Sequence, residues 1–466
     1  MTDIVQTSRM VLIAIVFPRT KDANEVTTSS TTTPALARSI GPAQLALYAL
    51  GSMLGSGIYG LIGKAAGQAG SAVWLSFLVA LVAALLTALS YASLGSRYPR
   101  AGGAAYVTQR AFGIPLLSFT VGLALVCSGL TSVATQSKIF ASNLTALLGL
   151  ESLPVSALAL GFILILAGIA FRGIRESMWV NVTCTLIEAT GLLIVIATGL
   201  SFWGTIDYFE TPPERADSTL ALVVIQASVL TFFAFIGFED AVNVAEECKD
   251  PSWTIPIGLI TATLAAAVLY IAVAITAVSV VPWQELKDAP SPLTEVMRRS
   301  APDFPPIIMT LITMFAVANT ALVNYITASR LIYGMSHQKL LPTQFGAVHG
   351  ERRTPHIAII ALFLVLIPLV LAGSISDLAS STVLLLLLVF MVVNGALIML
   401  KRRPGEAVGR FEIPIWVPAL GAVVCGGLML TRLASSDWRA PLIAMTLLAG
   451  IVTIFAVLKP NGQASD

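Results

Sequence analysis

Few residues in this chain are placed to do chemistry, and they lie in apolar surroundings. Gly51-Ser52-Met53-Leu54-Gly55-Ser56-Gly57-Ile58-Tyr59-Gly60 gathers small and polar residues inside one hydrophobic stretch. Phe232-Phe233-Ala234-Phe235-Ile236-Gly237-Phe238-Glu239-Asp240 ends another stretch on a glycine and two acids. Each glycine costs a helix interior about 1 kcal/mol relative to alanine, so both clusters predict a point where a helix stops and restarts. A half-helix that restarts presents free N–H groups and the positive end of its dipole, which suit a carboxylate. The half that stops presents unbonded carbonyls, which suit an ammonium. A cavity offering both within a few ångströms would hold the zwitterion of an α-amino acid. Ser56 adds a hydroxyl donor between Gly55 and Gly57, whereas Gly63 and Gly67 read as close helix packing. Gly55, Gly57 and Gly60 also spell GxGxxG, but a dinucleotide site fails here. No strand precedes them, and no Asp or Glu lies between Glu25 and Glu151 to hold a ribose.

The elements that must position these residues follow from composition. Only 11% of the 466 residues are charged, 56% are hydrophobic, and the mean hydropathy is +0.86. A soluble chain carries about 25% charged residues, so this one reads as an integral membrane protein. Apolar stretches near the ~20 residues a spanning helix needs recur twelve times. They are Gln44 to Gln68, Ala72 to Leu94, Pro115 to Leu147, Val155 to Phe171, Met178 to Trp203, Leu220 to Asp240 and Ile255 to Val281. Pro306 to Met335, Ile357 to Ala372, Leu378 to Leu400, Ile413 to Leu430 and Leu442 to Leu458 follow. Backbone groups in lipid must be bonded internally, and these runs are too continuous for a barrel, so the expected fold class is all-α with twelve transmembrane helices. The glycine clusters then fall in the first and sixth helices. Breaks at those two positions match a five-plus-five inverted repeat with the solute site at mid-membrane. Its halves would run over 44–203 and 220–400, followed by two extra helices over 413–458.

Residues 1–40 are rich in Ser and Thr and read as a disordered tail, with the membrane domain over 41–460 and a short tail at 461–466. Met10 to Phe17 is too brief to span and lacks a small-residue cleavage site, which argues against a signal peptide; an interfacial anchor or a misplaced start codon remain. With both termini cytoplasmic, only Lys138, Arg215, Lys287, Arg298, Arg299, Arg432 and Arg439 face outward, Lys64 lies within a span, and the rest of the 27 basic residues face inward. The positive-inside rule favours that topology in a cell membrane. A net charge of +2 gives no basic excess for nucleic acid. Cys127, Cys184, Cys248 and Cys425 form no CxxC pair, and His337, His349 and His356 share one polar connector read as a solvated loop, so neither a metal nor a cofactor is expected. No P-loop appears, and no acid or histidine constellation suggests an enzyme.

Three features resemble the amino acid–polyamine–organocation superfamily of transporters besides Leu54-Gly55-Ser56-Gly57-Ile58-Tyr59. They are Pro99-Arg100-Ala101-Gly102-Gly103-Ala104-Ala105-Tyr106, the run from Phe235-Ile236-Gly237-Phe238-Glu239 to Ile255-Pro256, and Ala328-Ser329-Arg330-Leu331-Ile332-Tyr333-Gly334-Met335 with Leu340-Leu341-Pro342. The resemblance covers about Ala43 to Leu400 and implies the LeuT-type arrangement with helices 1 and 6 broken. It implies that Ser56 and Gly57 meet a substrate carboxylate, with Gly55 beside them in the substrate-binding set, and that the carbonyls of Met53, Phe233, Ala234 and Ile236 meet its ammonium. Phe233 would be an aromatic gate closing over the solute, since a ring excludes water without needing hydrogen bonds.

Acids at membrane depth imply a cavity or a partner. Glu188 lies mid-way along the fifth span, where some members of the superfamily look to have a lysine; here it is expected to carry a proton through the cycle or to bridge to the first or eighth helix. Glu239 would favour the dipole of the second half-helix or sense protons. Asp240 would attract a cationic side chain, and Glu246, Glu247 and Lys249 read as a solvated end without a transport role. The expected function is a secondary active amino acid transporter working by alternating access, with proton symport or exchange. The alternatives are a carrier of polyamines or other organic amines and a nutrient sensor that binds without translocating.

Overall fold

Glycine, proline and small-residue positions set where the helices of this chain begin, end and touch. The structure is a computed structural model that describes residues 38–99, 103–148, 153–213, 219–289, 292–371, 376–433 and 439–458. The expected tails, apart from Arg38, Ser39 and Ile40, lie outside the described residues. The first expected span is two helices, α1 (Pro42–Met53) and α2 (Ser56–Ala69). Then come α3 (Val73–Arg97), α4 (Gly103–Phe112), α5 (Pro115–Leu148), α6 (Val155–Arg172) and α7 (Ile174–Gly199). The sixth span is also divided, into α8 (Leu220–Phe233) and the short α9 (Asp240–Asn243). The rest are α10 (Pro251–Val280), α11 (Trp283–Leu286), α12 (Pro292–Ser300), α13 (Pro306–His337), α14 (His356–Leu371), α15 (Ser376–Arg402), α16 (Trp416–Leu433) and α17 (Arg439–Leu458).

Each of the twelve apolar stretches carries helix. Among the described residues, seven helices are long and apolar enough to cross a membrane: those containing Ala65–Arg97, Pro115–Lys138, Val155–Arg172, Val180–Phe202, Pro251–Val280, Ile307–His337 and Leu384–Arg402. The pieces of the first and sixth stretches fall short individually because each is cut in two. Side chains such as Leu164, Ile165, Val268, Leu364 and Val423 stay exposed on the outside of the bundle, an apolar surface that lipid rather than water would cover.

The most extensively packed pairs are α3 with α10 and α5 with α13; α1 also lies on α10 and α8 on α3. Small residues allow the close approach, as helix contacts in lipid require: a Cβ at Gly95 would lie 2.7 Å from Ile255 Cγ2. Gly63 and Gly67 are packing positions as well, meeting Leu286 and Pro292 in the first case and Lys287 Cβ, at 2.8 Å from an added Cβ, in the second. Short α4 and α12 fall in segments read as loops, because a search for long apolar runs passes over amphipathic helices of nine or ten residues.

Ser39 and Ile40, the last residues of the expected tail, are pinned by backbone bonds. Their N–H groups donate to Glu247 O at 2.9 and 3.0 Å, and Lys249 N–H donates to Ile40 O at 3.0 Å. A strap over 403–412 closes on α3 and α4, with Glu406 accepting from Tyr98 Oη and Arg110 Nε, both at 2.8 Å.

Candidate functional site

The first break begins where the last helical bond of α1 forms, Leu54 N–H to Leu50 O at 2.8 Å. Gly55 (φ −59°, ψ −146°) then turns the chain out of the helix, and α2 restarts at Ser56. There is no room for a side chain at the turn. A Cβ at Gly55 would overlap Thr320 Oγ1 and lie 2.8 Å from Thr320 Cβ, and one at Gly51 would overlap Thr185 Oγ1 and Asn319 Nδ2. The first N–H groups of α2, on Ser56, Gly57 and Ile58, have no acceptor within their own helix.

The second break runs from Ala234 to Glu239. Its backbone bonds are three residues long rather than four: Ala234 N–H to Thr231 O at 3.1 Å and Phe235 N–H to Phe232 O at 3.0 Å. Gly237 has φ +126°, a conformation that only glycine takes without strain. Two buried rings fix the segment. Phe235 stands edge-on to Tyr270 with centroids 5.2 Å apart, and Phe238 stacks on Phe390 at 5.4 Å.

The breaks touch. A Cβ at Gly57 would lie 3.1 Å from Ala234 Cα, and one at Gly237 would lie 2.6 Å from Ser52 Oγ and 2.9 Å from Ser52 C. Ser52 Oγ donates to Asp240 Oδ2 at 2.6 Å. The Tyr270 hydroxyl of α10 reaches two carbonyls, Met53 O at the end of α1 and Ala234 O, the latter at 2.9 Å. One hydroxyl proton serves one of them at a time.

A single cavity takes in Met53, Gly55, Gly57, Ala234, Ile236 and Glu239, so six of the expected site residues come together. The backbones of Ser56 and Phe233 adjoin it; their side chains, and with them the expected hydroxyl donor and aromatic gate, lie outside what the structure describes. Glu239 Oε2 accepts the Gly237 N–H at 2.9 Å, so its carboxyl turns back into the break rather than ahead to α9. Asp240 is held by Ser52, which sequence alone did not connect to it.

Glu188 does not line the cavity. It sits behind the first break on α7, fully buried, with its carboxyl beside the Asn319 side chain of α13. Its backbone carbonyl accepts from Tyr59 Oη at 3.0 Å. On the same helix face, Asn181 Nδ2 donates to Asn319 Oδ1 at 2.6 Å, and Asn319 Nδ2 donates to Thr185 Oγ1 at 3.0 Å. This polar ladder links α7, α13 and α1. Asn319 and Thr320 were not singled out in the sequence, although polar residues within an apolar span are a signal for them; Tyr270 carried no such signal.

One expectation is overturned. Glu247, read as part of a solvated end, is 1% exposed and paired with Arg330 Nε at 2.8 Å, itself 2% exposed. Two charges taken out of water need each other, and the buried backbone of Ile40 beside Glu247 shuts the solvent out.

In sequence the chain is similar to known permeases. A family model described as amino acid permease matches residues 40–462. A branched-chain amino acid permease of Bacillus subtilis is 26% identical over 436 residues, covering 87% of this chain and 90% of that protein. Cationic amino acid transporter 4 of Mus musculus is 29% identical over 385 residues, 78% of this chain but 60% of that longer protein. A methylthioribose transporter of Bacillus subtilis is 27% identical over 420 residues, 86% of this chain and 90% of the relative.

Proposed function

The chain belongs to the amino acid permease family, within the amino acid–polyamine–organocation superfamily, and from that premise we propose that it is a secondary active transporter moving amino acids across the cell membrane by alternating access. One observation carries the reading: two helices stop inside the bundle, and both stops open on one cavity. The N-terminus of α2 supplies N–H groups and a positive dipole end for the substrate carboxylate. The carbonyls of Met53, Ala234 and Ile236 supply acceptors for the ammonium. Ser56 contributes its N–H and hydroxyl, and Phe233 closes over the bound solute.

The architecture in this proposal is twelve spans, ten of them a five-plus-five inverted repeat over 44–203 and 220–400, with both termini cytoplasmic. Helix pairing supports it. Adding five to a span's position in the order exchanges α1 on α10 with α8 on α3, and leaves the pairs α3 with α10 and α5 with α13 unchanged. Coupling is to protons through Glu188, a buried acid with no ion-pair partner among the described residues. A carrier of polyamines or other amines is the second reading, favoured by the two acids at the cavity, Glu239 and Asp240.

Uptake into proteoliposomes tests the proposal, using labelled L-arginine, L-leucine and putrescine with and without a pH gradient acid outside. At least one amino acid should accumulate only under the gradient, and its methyl ester, which lacks the carboxylate, should not compete. Accumulation of putrescine with no need for a free carboxylate would favour the amine carrier. Binding without accumulation would indicate a sensor.

A further inference from the structure

The strap over 403–412 is docked in two halves on two different parts of the bundle. Its first half sits on α4: the Arg403 guanidinium donates to Arg110 O and Ala111 O, both at 2.9 Å, and Glu406 accepts from Arg110 Nε at 2.8 Å. Its second half sits on the end of α3 and the start of α10. Phe411 N–H donates to Ser96 Oγ at 3.1 Å, Glu412 accepts from Arg97 Nε and Nη2, both at 2.6 Å, and Arg410 pairs with Asp250 at 3.0 Å. A Cβ at Gly409 would lie 3.0 Å from Ser96 Oγ and 3.2 Å from Arg97 N, so the chain lies flat on the last turn of α3. Between the halves Ala407 and Val408 are exposed.

Two contacts cross from one half to the support of the other. Tyr98, directly after α3, donates its hydroxyl to Glu406 at 2.8 Å, and Lys401, in the last turn of α15, pairs with Glu412. Each glutamate thus joins the end of α3 to a neighbouring element: Glu406 joins Tyr98 to Arg110 of α4, and Glu412 joins Arg97 to Lys401 of α15. The side chains of Lys401 and Glu412 are 10% and 28% exposed, so salt screens this pair less than one in open water.

The elements so joined belong to two packed groups. α3 packs on α10, and α1 and α8, which end at the breaks, lie on these two; α4 and α15 pack on each other and on α5, the partner of α13. Alternating access by rocking moves one such group against the other, which changes the distance between the end of α3 and the ends of α4 and α15. Resting on the reading of the chain as an alternating-access transporter, we propose that the strap is a latch across the cytoplasmic seam between the two groups. Tyr98 with Glu406 and Lys401 with Glu412 hold the seam shut. On release the strap bends at 407–408 and each half stays on its own group.

The test is the rate at which a membrane-impermeant maleimide, added to the cytoplasmic face of inside-out vesicles, labels Leu331→Cys. Leu331 lies on the α13 wall of the cavity and is fully buried; the parent protein is the full chain with Cys127, Cys184, Cys248 and Cys425 replaced by alanine. Tyr98→Phe combined with Lys401→Met removes both crossing contacts and should speed labelling about tenfold or more, the loss of roughly one hydrogen bond to a charged group. Arg410→Gln, which breaks a contact inside one group, should leave the rate at the parent value. An unchanged rate in the double variant, or equal acceleration by Arg410→Gln, would overturn the latch. Lys401→Met alone carries the same test if the double variant does not fold, with a smaller acceleration expected and an unchanged rate again overturning it. A parent protein that takes up none of L-arginine, L-leucine and putrescine, and whose labelling none of them alters, would instead remove the alternating-access reading and the latch with it.

Discussion

Tyr270 has one proton to give and two carbonyls within reach of it, Met53 O and Ala234 O. These are the acceptors proposed for the substrate ammonium, a three-donor group that would compete with the hydroxyl for them. Tyr270→Phe leaves both carbonyls unmet, which should destabilise the empty protein by about 1–3 kcal/mol. Saturating substrate restores donors, so the stabilisation it produces should be larger in the variant than in the wild type, read as thermal shifts in detergent. An equal shift in both would mean that the ammonium does not use these oxygens. Glu188 is the second residue with a defined expectation. Glu188→Gln keeps its shape and removes its charge, and it should retain substrate exchange between equal pools while losing accumulation driven by a pH gradient. Accumulation at wild-type level would remove Glu188 from the coupling. The sequence exposed Glu188 because an acid inside an apolar run is anomalous. It could not expose Tyr270, since a tyrosine in an apolar helix is ordinary.

At the scale of elements, the breaks depend on glycine for space and for conformation. Gly237 at φ +126° is pressed against Ser52. Gly237→Ala should therefore impair both folding yield and substrate binding, whereas Gly161→Ala, where an added Cβ meets nothing within 4 Å, should alter neither. The buried Glu247 and Arg330 pair tethers the segment after the second break to α13. Removing one partner strands the other, at a cost of about 3–5 kcal/mol. Glu247→Gln combined with Arg330→Met should cost clearly less than the sum of the two single changes, measured as a double-mutant cycle of unfolding. The strap over 403–412 gives a pH dependence. Partial burial pushes the Glu406 carboxyl up, but hydrogen bonds from Tyr98 and Arg110 more than offset this and hold it below the ordinary carboxylate range. A carboxyl lowered in the folded state stabilises the fold above its unfolded pKa, and that stability is lost as pH falls through the folded value. Glu406→Gln should thus melt below the wild type at pH 7, with the difference fading below about pH 4; a difference unchanged at low pH would contradict the assignment.

For the molecule as a whole, the helices were legible because lipid demands long apolar runs, and α3, α5, α6 and α10 lie within a few residues of the expected stretches. The two stops were legible because Gly55 and Gly237 sit where a helix interior should not hold glycine. Long-range pairing was not. Ser52 with Asp240 and Glu247 with Arg330 join residues 188 and 83 positions apart, and nothing local distinguishes them from solvated polar groups. The most direct measurement of the central claim is an electron cryo-microscopy map of the full chain in lipid nanodiscs with saturating L-arginine. The account places ligand density between the Gly57 N–H and the carbonyls of Met53 and Ala234, with α1 and α8 still ending at their glycine turns. Continuous helices through residues 54–57 and 234–239, or ligand density away from both turns, would contradict it.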